Sequence, residues 1–198
     1  MIVIQTYYLY DNNITKIKIV IKLERRKTMS VYFRIDDRLI HGQIVASWIA
    51  SLNCNRIIVA DDKAAVDTFQ QALLKIAVPS SIKLQIVKVK EAADLLNELD
   101  ENANVLVILK DVNSALSLVD NGFTPEMINV GNSGARKGAT QYFKSLFFTD
   151  EDIEKYHKLA LSGVKLITQV VPTEKLHDFF ELIKKYLTIY NRVVDHRL

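Results

Sequence analysis

The chain has few of the residues that build cross-linked frameworks: its 198 residues include one cysteine, three prolines and six glycines. With Cys54 alone, an intrachain disulfide and a cysteine-based zinc site are excluded, and a reducing compartment fits. No proline- or glycine-rich linker divides the sequence, and the length suits one domain with a sizeable core. We therefore interpret residues 29–198 as one domain.

Long apolar runs and charge of a single sign are also missing. No stretch approaches the roughly 20 apolar residues that cross a membrane, so we expect a chain that does not span one. The formal net charge is only +3, and no basic stripe interleaved with aromatics indicates a nucleic-acid partner. The histidines have no partners at metal-ligand spacing, so we expect neither a metal nor a cofactor.

Residues 1–28 differ in character from the rest, because they are rich in Ile, Lys, Tyr and Asn. Lysines interrupt their apolar residues and no basic start precedes them, so they do not resemble a secretory signal. We expect Met29 to be the natural start and residues 1–28 to be an extension that is not native. A mature N-terminus near Met1, found by mass spectrometry of the native protein, would contradict this expectation.

From Val31 onward, strand and helix patterns alternate regularly. This alternation predicts an α/β fold, an open and mostly parallel β-sheet with helices on both faces in a Rossmann-like three-layer arrangement. The predicted strands are 31–33, 55–60, 83–89, 104–109, 127–130, 145–148 and 165–171. The predicted helices are about 41–52, 62–77, 90–99, 111–121, 149–161 and 173–187. The strand 104–109 is the most apolar, which favours a central position.

The most reactive segment is RIDDRLIHGQ, residues 34–43, which joins the first strand to the first helix. His41 is its one neutral nucleophile near pH 7, because free imidazole has a pKa of about 6.5. The helix that begins near His41 disfavours protonation of the imidazole and attracts anions. Arg38 can bind phosphate oxygens in a bidentate manner. These groups together predict a histidine that accepts a phosphoryl group.

The two aspartates of this segment have a supporting role in the prediction. Either Asp36 or Asp37 can hold a guanidinium or the imidazole N–H, which would fix the histidine tautomer. Arg34 either contacts the phosphate or pairs with one of these aspartates. A bland alternative remains, because a single histidine beside a helix start is often a cap or a surface residue.

A second candidate segment is the glycine-rich run 131–138, which follows the fifth predicted strand. Backbone amides around Asn132, Ser133 and Gly134 would form an anion-binding nest, with Arg136 and Lys137 adding positive charge. A flexible connection is the alternative interpretation. The run lacks the spacing of a P-loop, and no G-x-G-x-x-G follows the first strand, so a nucleotide site is not supported.

The run RIDDRLIHGQ, followed by an apolar helix that carries Trp48, closely resembles a known active-site signature. It is the signature of the IIB component of the mannose/fructose/sorbose class of the bacterial phosphoenolpyruvate-dependent sugar phosphotransferase system. The resemblance extends more loosely over about residues 29–190. It implies a cytoplasmic phosphocarrier that is peripheral to the membrane through its transporter complex.

By resemblance, His41 takes the phosphoryl group on Nδ1 from a phosphorylated IIA domain. The carrier then delivers it to a sugar bound by the membrane-embedded IIC and IID subunits. The resemblance also implies that Arg38 stabilises the phosphoryl charge, that Asp36 orients the loop, and that Gly42 and Gln43 place backbone amides at the helix start. The run 131–138 would border the histidine at the carboxyl end of the sheet.

Two other functions stay open on the residues alone. The first is a non-catalytic α/β module that binds a phosphorylated ligand or a sugar nucleotide, with His41 as a contact. The second is a phosphatase with a phosphohistidine intermediate, although only the loop aspartates could act as its general acid. Covalent labelling separates them, since a carrier acquires acid-labile phosphate and a binding module shows reversible saturation.

Overall fold

The computed structural model describes residues 30–99 and 103–186. The predicted extension at residues 1–28 and the predicted helical residue Leu187 lie outside the described residues. The nine strands are β1 Ser30–Asp36, β2 Arg56–Ala60, β3 Lys83–Val87, β4 Asn104–Leu109, β5 Met127–Asn132, β6 Thr140–Phe143, β7 Leu146–Phe148, β8 Lys165–Thr168 and β9 His177–Asp178. The helices are α1 42–51, α2 Thr68–Ala77, α3 Val89–Asn97, α4 Val112–Asp120, α5 Asp150–Leu161 and α6 179–186.

Seven strands form one sheet in the order β3-β2-β4-β1-β5-β8-β9. All neighbours in this sheet are parallel except β9, which runs antiparallel to β8. Strand β4 lies between β2 and β1 and is buried from Val105 to Leu109, so the apolar run is an interior strand as predicted. Strand β1 takes the middle place, with three strands of the sheet on each side of it.

Two apolar cores cover the two faces of the sheet, which confirms the three-layer α/β prediction. Alternate residues of each strand enter different cores, as the two-residue period of a strand requires. In β4, Val107 belongs to the core beneath α3, α4 and α5, whereas Ile108 belongs to the core beneath α1 and α2. Each helix therefore buries its apolar stripe against one face of the sheet.

Helix α1 has the predicted inward face, with Ile44, Trp48 and Ile49 buried. Its middle is a π-helical turn, Ile44–Trp48, closed by a hydrogen bond from Ile49 N to Ile44 O. Such a turn inserts one residue into the helix and often lies next to a functional site. Just after the helix, Asn53 takes a left-handed conformation with a φ of 48°, a common way to end a helix.

The predicted start of the last helix was wrong. Helix α6 begins at residue 179, where Asp178 Oδ1 accepts a hydrogen bond from Glu181 N, and not after Thr173. Pairing of β9 with β8 extends the sheet through this stretch, and Leu176, which the predicted helix 173–187 includes, is 47% exposed. Thr173 has the right residue type for a helix cap, but the long-range strand pairing overrides that local preference.

Several further boundaries differ from the prediction, because β3 ends at Val87 and β8 at Thr168, both earlier than predicted. Strand β5 continues through Gly131 and Asn132. Strand β7 lies within the predicted strand 145–148, but β6 and its antiparallel pairing with β7 outside the main sheet were not predicted. Helix α2 begins at Thr68 with Asp67 as its cap, later than predicted. Three apolar side chains of α2 are exposed, so not every apolar residue of the helix covers the sheet. They are Phe69, Leu73 and Ile76, and Val66 just before the helix is also exposed.

Candidate functional site

The candidate site lies where the connections of β1 and β5 leave the carboxyl edge of the sheet in opposite directions. Strand β1 leads into α1 on one face, whereas β5 leads by way of the hairpin into α5 on the other face. Neighbouring strands whose connections diverge leave a crevice between them, and open α/β sheets bind ligands at such a point. The segments 34–43 and 131–138 meet in this crevice.

Asp36 is the hub of the site and is completely buried. Its Oδ2 accepts hydrogen bonds from Arg34 Nε at 3.1 Å and Arg34 Nη2 at 3.0 Å, and it lies 3.0 Å from His41 Nε2. Burial alone raises the pKa of Asp36, but the hydrogen bond with His41 and the charge of Arg34 outweigh burial and bring the pKa below its usual value. Asp36 is therefore ionised at neutral pH. Of the two aspartates that the sequence offered as partners of the imidazole, Asp36 is the one that contacts His41.

The contact with Asp36 fixes the tautomer of His41. An ionised carboxylate can only accept a hydrogen bond, so the proton of a neutral imidazole lies on Nε2. The lone pair is then on Nδ1, the nitrogen that Asp36 does not contact. The His41 side chain is 16% exposed, which leaves an edge of the ring open to another molecule.

The helix start beside His41 supplies backbone donors. The first hydrogen bond of α1 runs from Val45 N to His41 O at 3.1 Å, so the amides of Gly42 and Gln43 precede the helical ladder and point toward the loop. Both residues are exposed. Such amides, together with the positive end of the helix dipole, favour an anion next to His41.

The two arginines of the loop have different environments. The Arg34 side chain is 1% exposed, and its Nη1 donates to Gln169 O at 3.0 Å. Its guanidinium also stacks 5.0 Å from the centre of the Trp48 ring. Burial lowers the pKa of Arg34, although its contacts with Asp36 offset part of that effect. Arg34 is thus a structural ion-pair partner, with a protein partner at each of its three guanidinium nitrogens.

Arg38, by contrast, has a side chain that is 49% exposed. Its backbone N donates to Asp36 Oδ1 at 3.3 Å, and its Nη2 donates to Gln43 Oε1 at 3.3 Å. The guanidinium Nε lies 3.6 Å from Asp36 Oδ1. Arg38 is therefore oriented at the mouth of the crevice while part of its guanidinium faces solvent.

The segment 131–138 provides space and donors. A Cβ at Gly131 would lie 2.0 Å from Arg34 Cζ, so only glycine leaves room for that guanidinium. Gly134 N donates to Asp37 Oδ2 at 2.6 Å, and Asn132 Nδ2 donates to Asp37 Oδ1. The nest that the sequence suggests for an external anion therefore holds the carboxylate of Asp37.

Similarity to known proteins places the chain in a family. The sequence model of the family described as "PTS system sorbose subfamily IIB component" matches residues 30–192. The chain belongs to this family. It is therefore a IIB component, a phosphocarrier of a sugar phosphotransferase system, which confirms the resemblance found in the sequence.

Individual relatives of this IIB component have low sequence identity to it, but the match covers nearly their whole length. The N-acetylgalactosamine-specific phosphotransferase enzyme IIB component 2 of Escherichia coli is 32% identical over 77% of this chain and 98% of the relative. The fructose-specific EIIB component of Bacillus subtilis is 31% identical over 78% and 95%. The crystal structure of the IIBSor domain of the sorbose permease from Klebsiella pneumoniae has a TM-score of 0.72 and 29% identity, over 79% and 98%.

The predicted site residues of segment 34–43 lie together around His41, whereas those of segment 131–138 contact other protein groups. His41, Arg38, Asp36, Gly42 and Gln43 form one cluster on segment 34–43, with Arg34 beneath them. In the second segment, side-chain or backbone donors of Asn132, Ser133, Gly134 and Arg136 have protein partners. Besides the donors that bind Asp37, Ser133 Oγ donates to Phe147 O at 2.9 Å, and Arg136 pairs with Asp152.

Sequence reasoning missed Lys110. Its Nζ donates to the backbone oxygen of Asp37, so it ties the histidine loop to the end of β4. Its position directly after the most apolar strand could have placed it at the carboxyl edge of the sheet. Within residues 30–99 and 103–186, no cluster of His, Cys, Asp and Glu could hold a metal ion, and no helix is long and apolar enough to cross a membrane.

Proposed function

We propose that His41 is the phosphoryl acceptor of this IIB component and that Nδ1 is the accepting atom. The observation that carries the proposal is the 3.0 Å contact between His41 Nε2 and Asp36 Oδ2. Because Asp36 is ionised and buried, it holds the proton on Nε2 and leaves the Nδ1 lone pair available for attack. The family assignment supports the phosphoryl chemistry, and this contact supports Nδ1 as the accepting atom.

The proposed transfer is a displacement between two nitrogens. The Nδ1 lone pair of His41 forms a bond to phosphorus while the bond from phosphorus to the donor histidine breaks, and that electron pair stays on the donor. In the second step a sugar hydroxyl forms an O–P bond, the hydroxyl proton is released and the N–P electron pair returns to Nδ1. Catalysis of this kind depends mainly on position and charge.

The surrounding residues divide the work in this proposal. Arg38 stabilises the phosphoryl charge, and the amides of Gly42 and Gln43 add donors at the helix start. Arg34 acts through Asp36, because its guanidinium is buried and fully engaged. The donors of Asn132, Ser133 and Gly134 are occupied by protein groups, which supports a framing role for the segment over direct contact with the phosphate.

The partners we propose are a phosphorylated IIA domain as donor and the membrane subunits IIC and IID, which hold the sugar. This would place the carrier in the cytoplasm at the inner face of the membrane. One relative supports a IIA partner by its name, the mannose-specific EIIAB component of Escherichia coli, of which the chain matches 47%. Relatives are named for N-acetylgalactosamine, sorbose, fructose and mannose, and we propose a sugar of this group as the final acceptor.

The test is phosphorylation followed by intact mass. The protein is incubated with phosphoenolpyruvate, the general phosphotransfer proteins and a cognate IIA, and wild type is compared with His41→Ala. The matched control is His157→Ala, since His157 is an exposed histidine on α5. We expect a phosphate-sized gain that is acid-labile on wild type and on the control, and none on His41→Ala.

No gain on wild type, with IIA shown to be phosphorylated, would contradict the carrier proposal. The alternative of a module that binds a phosphorylated ligand would then be tested by reversible saturation. A gain that persists on His41→Ala would move the acceptor to another residue while leaving the family assignment intact.

A further inference from the structure

One residue of the histidine loop, Asp37, has three contacts with residues outside the loop. The carboxylate of Asp37 accepts from Gly134 N at 2.6 Å through Oδ2 and from Asn132 Nδ2 through Oδ1. The backbone oxygen of the same residue accepts from Lys110 Nζ. We call this set of four residues, Asp37, Lys110, Asn132 and Gly134, the Asp37 clasp.

The clasp joins the loop to both neighbours of its own strand. Lys110 directly follows β4, and Asn132 ends β5, so β1 is flanked by the two strands that supply the contacts. Asp37 itself lies between Asp36, which binds the imidazole, and Arg38, whose guanidinium reaches the mouth of the crevice. A contact that fixes Asp37 therefore fixes the spacing between Asp36, which orients His41, and Arg38, which stabilises the phosphoryl charge.

The loop needs such an external hold because its local conformation is unfavourable. Leu39 N donates to Asp36 O at 3.0 Å, which closes a tight turn, and Leu39 has a φ of 58°. A left-handed conformation costs a residue other than glycine roughly 1–2 kcal/mol. Such strain persists only where the surroundings over-determine it, and it is common at functional sites. Burial of Leu39 and the clasp provide that constraint here.

The clasp also decides where a phosphate cannot bind. Gly134 and Asn132 offer donors that suit an anion, and the Asp37 carboxylate already takes them. The free donors beside His41 are then those of the α1 start and of Arg38. An incoming phosphoryl group is directed to that side of the imidazole.

We propose that Asp37 is a positioning residue for phosphoryl transfer, and that the clasp fixes His41 and Arg38 relative to the incoming phosphorus. The inference rests on the proposed function. Its consequence is that the hydrogen bonds of Asp37 matter for the transfer rate beyond any contribution to folding. Misplacement of reacting groups by about 1 Å can cost a factor of about 10² in rate.

The test exchanges the partners of one hydrogen bond. Asp37→Asn replaces a charged acceptor with one neutral acceptor and one donor, so both contacts survive only if Asn132 turns its amide over, and they are then weaker than the charge-assisted contacts of wild type. Adding Asn132→Asp in the same chain lets the amide of residue 37 donate to residue 132 and accept from Gly134. The double variant therefore restores both contacts and keeps the net charge of wild type. Asp94→Asn, an exposed acid on α3, is the control for loss of one charge.

Three quantities are measured on each protein: the rate of phosphoryl transfer at saturating phosphorylated IIA, the ¹⁵N chemical shifts of the His41 ring, and the melting temperature. For Asp37→Asn we expect a rate loss of up to about 10²-fold and changed ring shifts. The double variant should recover most of the loss, and Asp94→Asn should match wild type. Lys110→Met, which keeps the carboxylate contacts, should lose less than Asp37→Asn and provides a second variant if Asp37→Asn folds poorly.

Wild-type rates and ring shifts in Asp37→Asn, measured per folded molecule, would overturn the inference. So would a double variant that regains its melting temperature but not its rate. For a poorly folding Asp37→Asn, a wild-type rate in Lys110→Met would do the same. Failure of wild type to become phosphorylated is a different result, because it contradicts the proposed function and is seen in the same assay.

Discussion

Residues 34–43 and residues 131–138 face each other at the carboxyl edge of the sheet, yet they are built in opposite ways. The first segment supplies large charged side chains, and Asp36 contacts both Arg34 and His41 directly. The second segment contributes hydrogen-bond donors and glycines that have no side chain. Gly131 leaves room for Arg34, and Gly134 leaves room for Asp37. Segment 34–43 holds the reactive groups. Segment 131–138 supplies the space and the donors around them, and we call this segment the socket.

This comparison teaches which kind of change each segment tolerates. Removing atoms from the first segment should break an ion pair or a hydrogen bond, whereas adding atoms to the second should cause a collision. Substitutions of matched chemistry on the two segments can therefore test the division, and the effects should decrease from the buried ion pair outward.

The largest effect on stability is expected from Arg34→Met. Removing one partner of a buried ion pair leaves the other charge uncompensated, which costs about 3–5 kcal/mol of unfolding free energy. Arg38→Met is the matched control on the same loop, and because that side chain is half-exposed it should cost no more than about 1 kcal/mol. Urea unfolding of both variants measures the difference. Equal losses would show that burial does not separate the two arginines.

The second effect, from adding a methyl group, is expected at Gly131→Ala. The new Cβ would lie 2.0 Å from Arg34 Cζ, so the buried guanidinium or β5 must move, and overpacking of this kind costs about 1–3 kcal/mol. Gly42→Ala is the matched control, because nothing lies within 4 Å of its Cβ position. In a helix, alanine should be neutral or more stable by up to about 1 kcal/mol. Chemical denaturation that ranks the two variants in the reverse order would contradict the socket description.

The same contrast explains how much the sequence predicted. The reactive cluster depends on neighbours that are close along the chain: Arg34 and Asp36 are two residues apart, and Asp36 and His41 are five apart. Local geometry at a strand-to-helix turn is enough to bring these groups together. The grouping of His41 with the loop aspartates and arginines, the helix start and the alternation of strands and helices could accordingly be predicted from residue types and periodicity.

The socket depends on residues that are far apart along the chain. Asp37 and Gly134 are 97 residues apart, and Arg34 and Gln169 are 135 apart. Such contacts follow from the order of the strands, which periodicity does not reveal. For this reason the segment 131–138 was predicted to bind an external anion, whereas the donors of Asn132 and Gly134 bind Asp37. Strands β6 and β9 were missed for a different reason, because each is short, only four and two residues long, and their pairings with β7 and β8 are local.

A third prediction concerns pH and uses Asp36. Its pKa in the folded protein lies below the usual value, so the unfolded chain takes up the proton first as the pH falls. The stability that Asp36 contributes is therefore complete above its unfolded pKa of about 3.9 and is lost as the pH falls through its lower folded pKa. One such group changes the unfolding free energy by at most about 1.4 kcal/mol per pH unit.

The measurement is urea unfolding of wild type and Asp36→Asn between about pH 6 and about pH 3. Other carboxylates titrate in both proteins, so the difference between the two curves isolates Asp36. Wild type should be more stable at the upper end, and the two curves should converge at the acid end. Curves that stay parallel throughout would mean that Asp36 has the same pKa in the folded and unfolded chains.

The smallest effect is expected from Arg136→Met, which removes a cation from the second segment as Arg34→Met does from the first. Arg136 pairs with Asp152, but its side chain is 44% exposed, and exposed ion pairs contribute no more than about 1 kcal/mol. Asp152 also keeps its contacts with Thr149 at the start of α5, where Thr149 N donates to Asp152 Oδ2 at 2.7 Å. The Asp152 side chain is also 12% exposed, whereas that of Asp36 is fully buried. Urea unfolding should thus show a loss several times smaller than for Arg34→Met, and losses of equal size would mean that segment 131–138 carries a structural ion pair of its own.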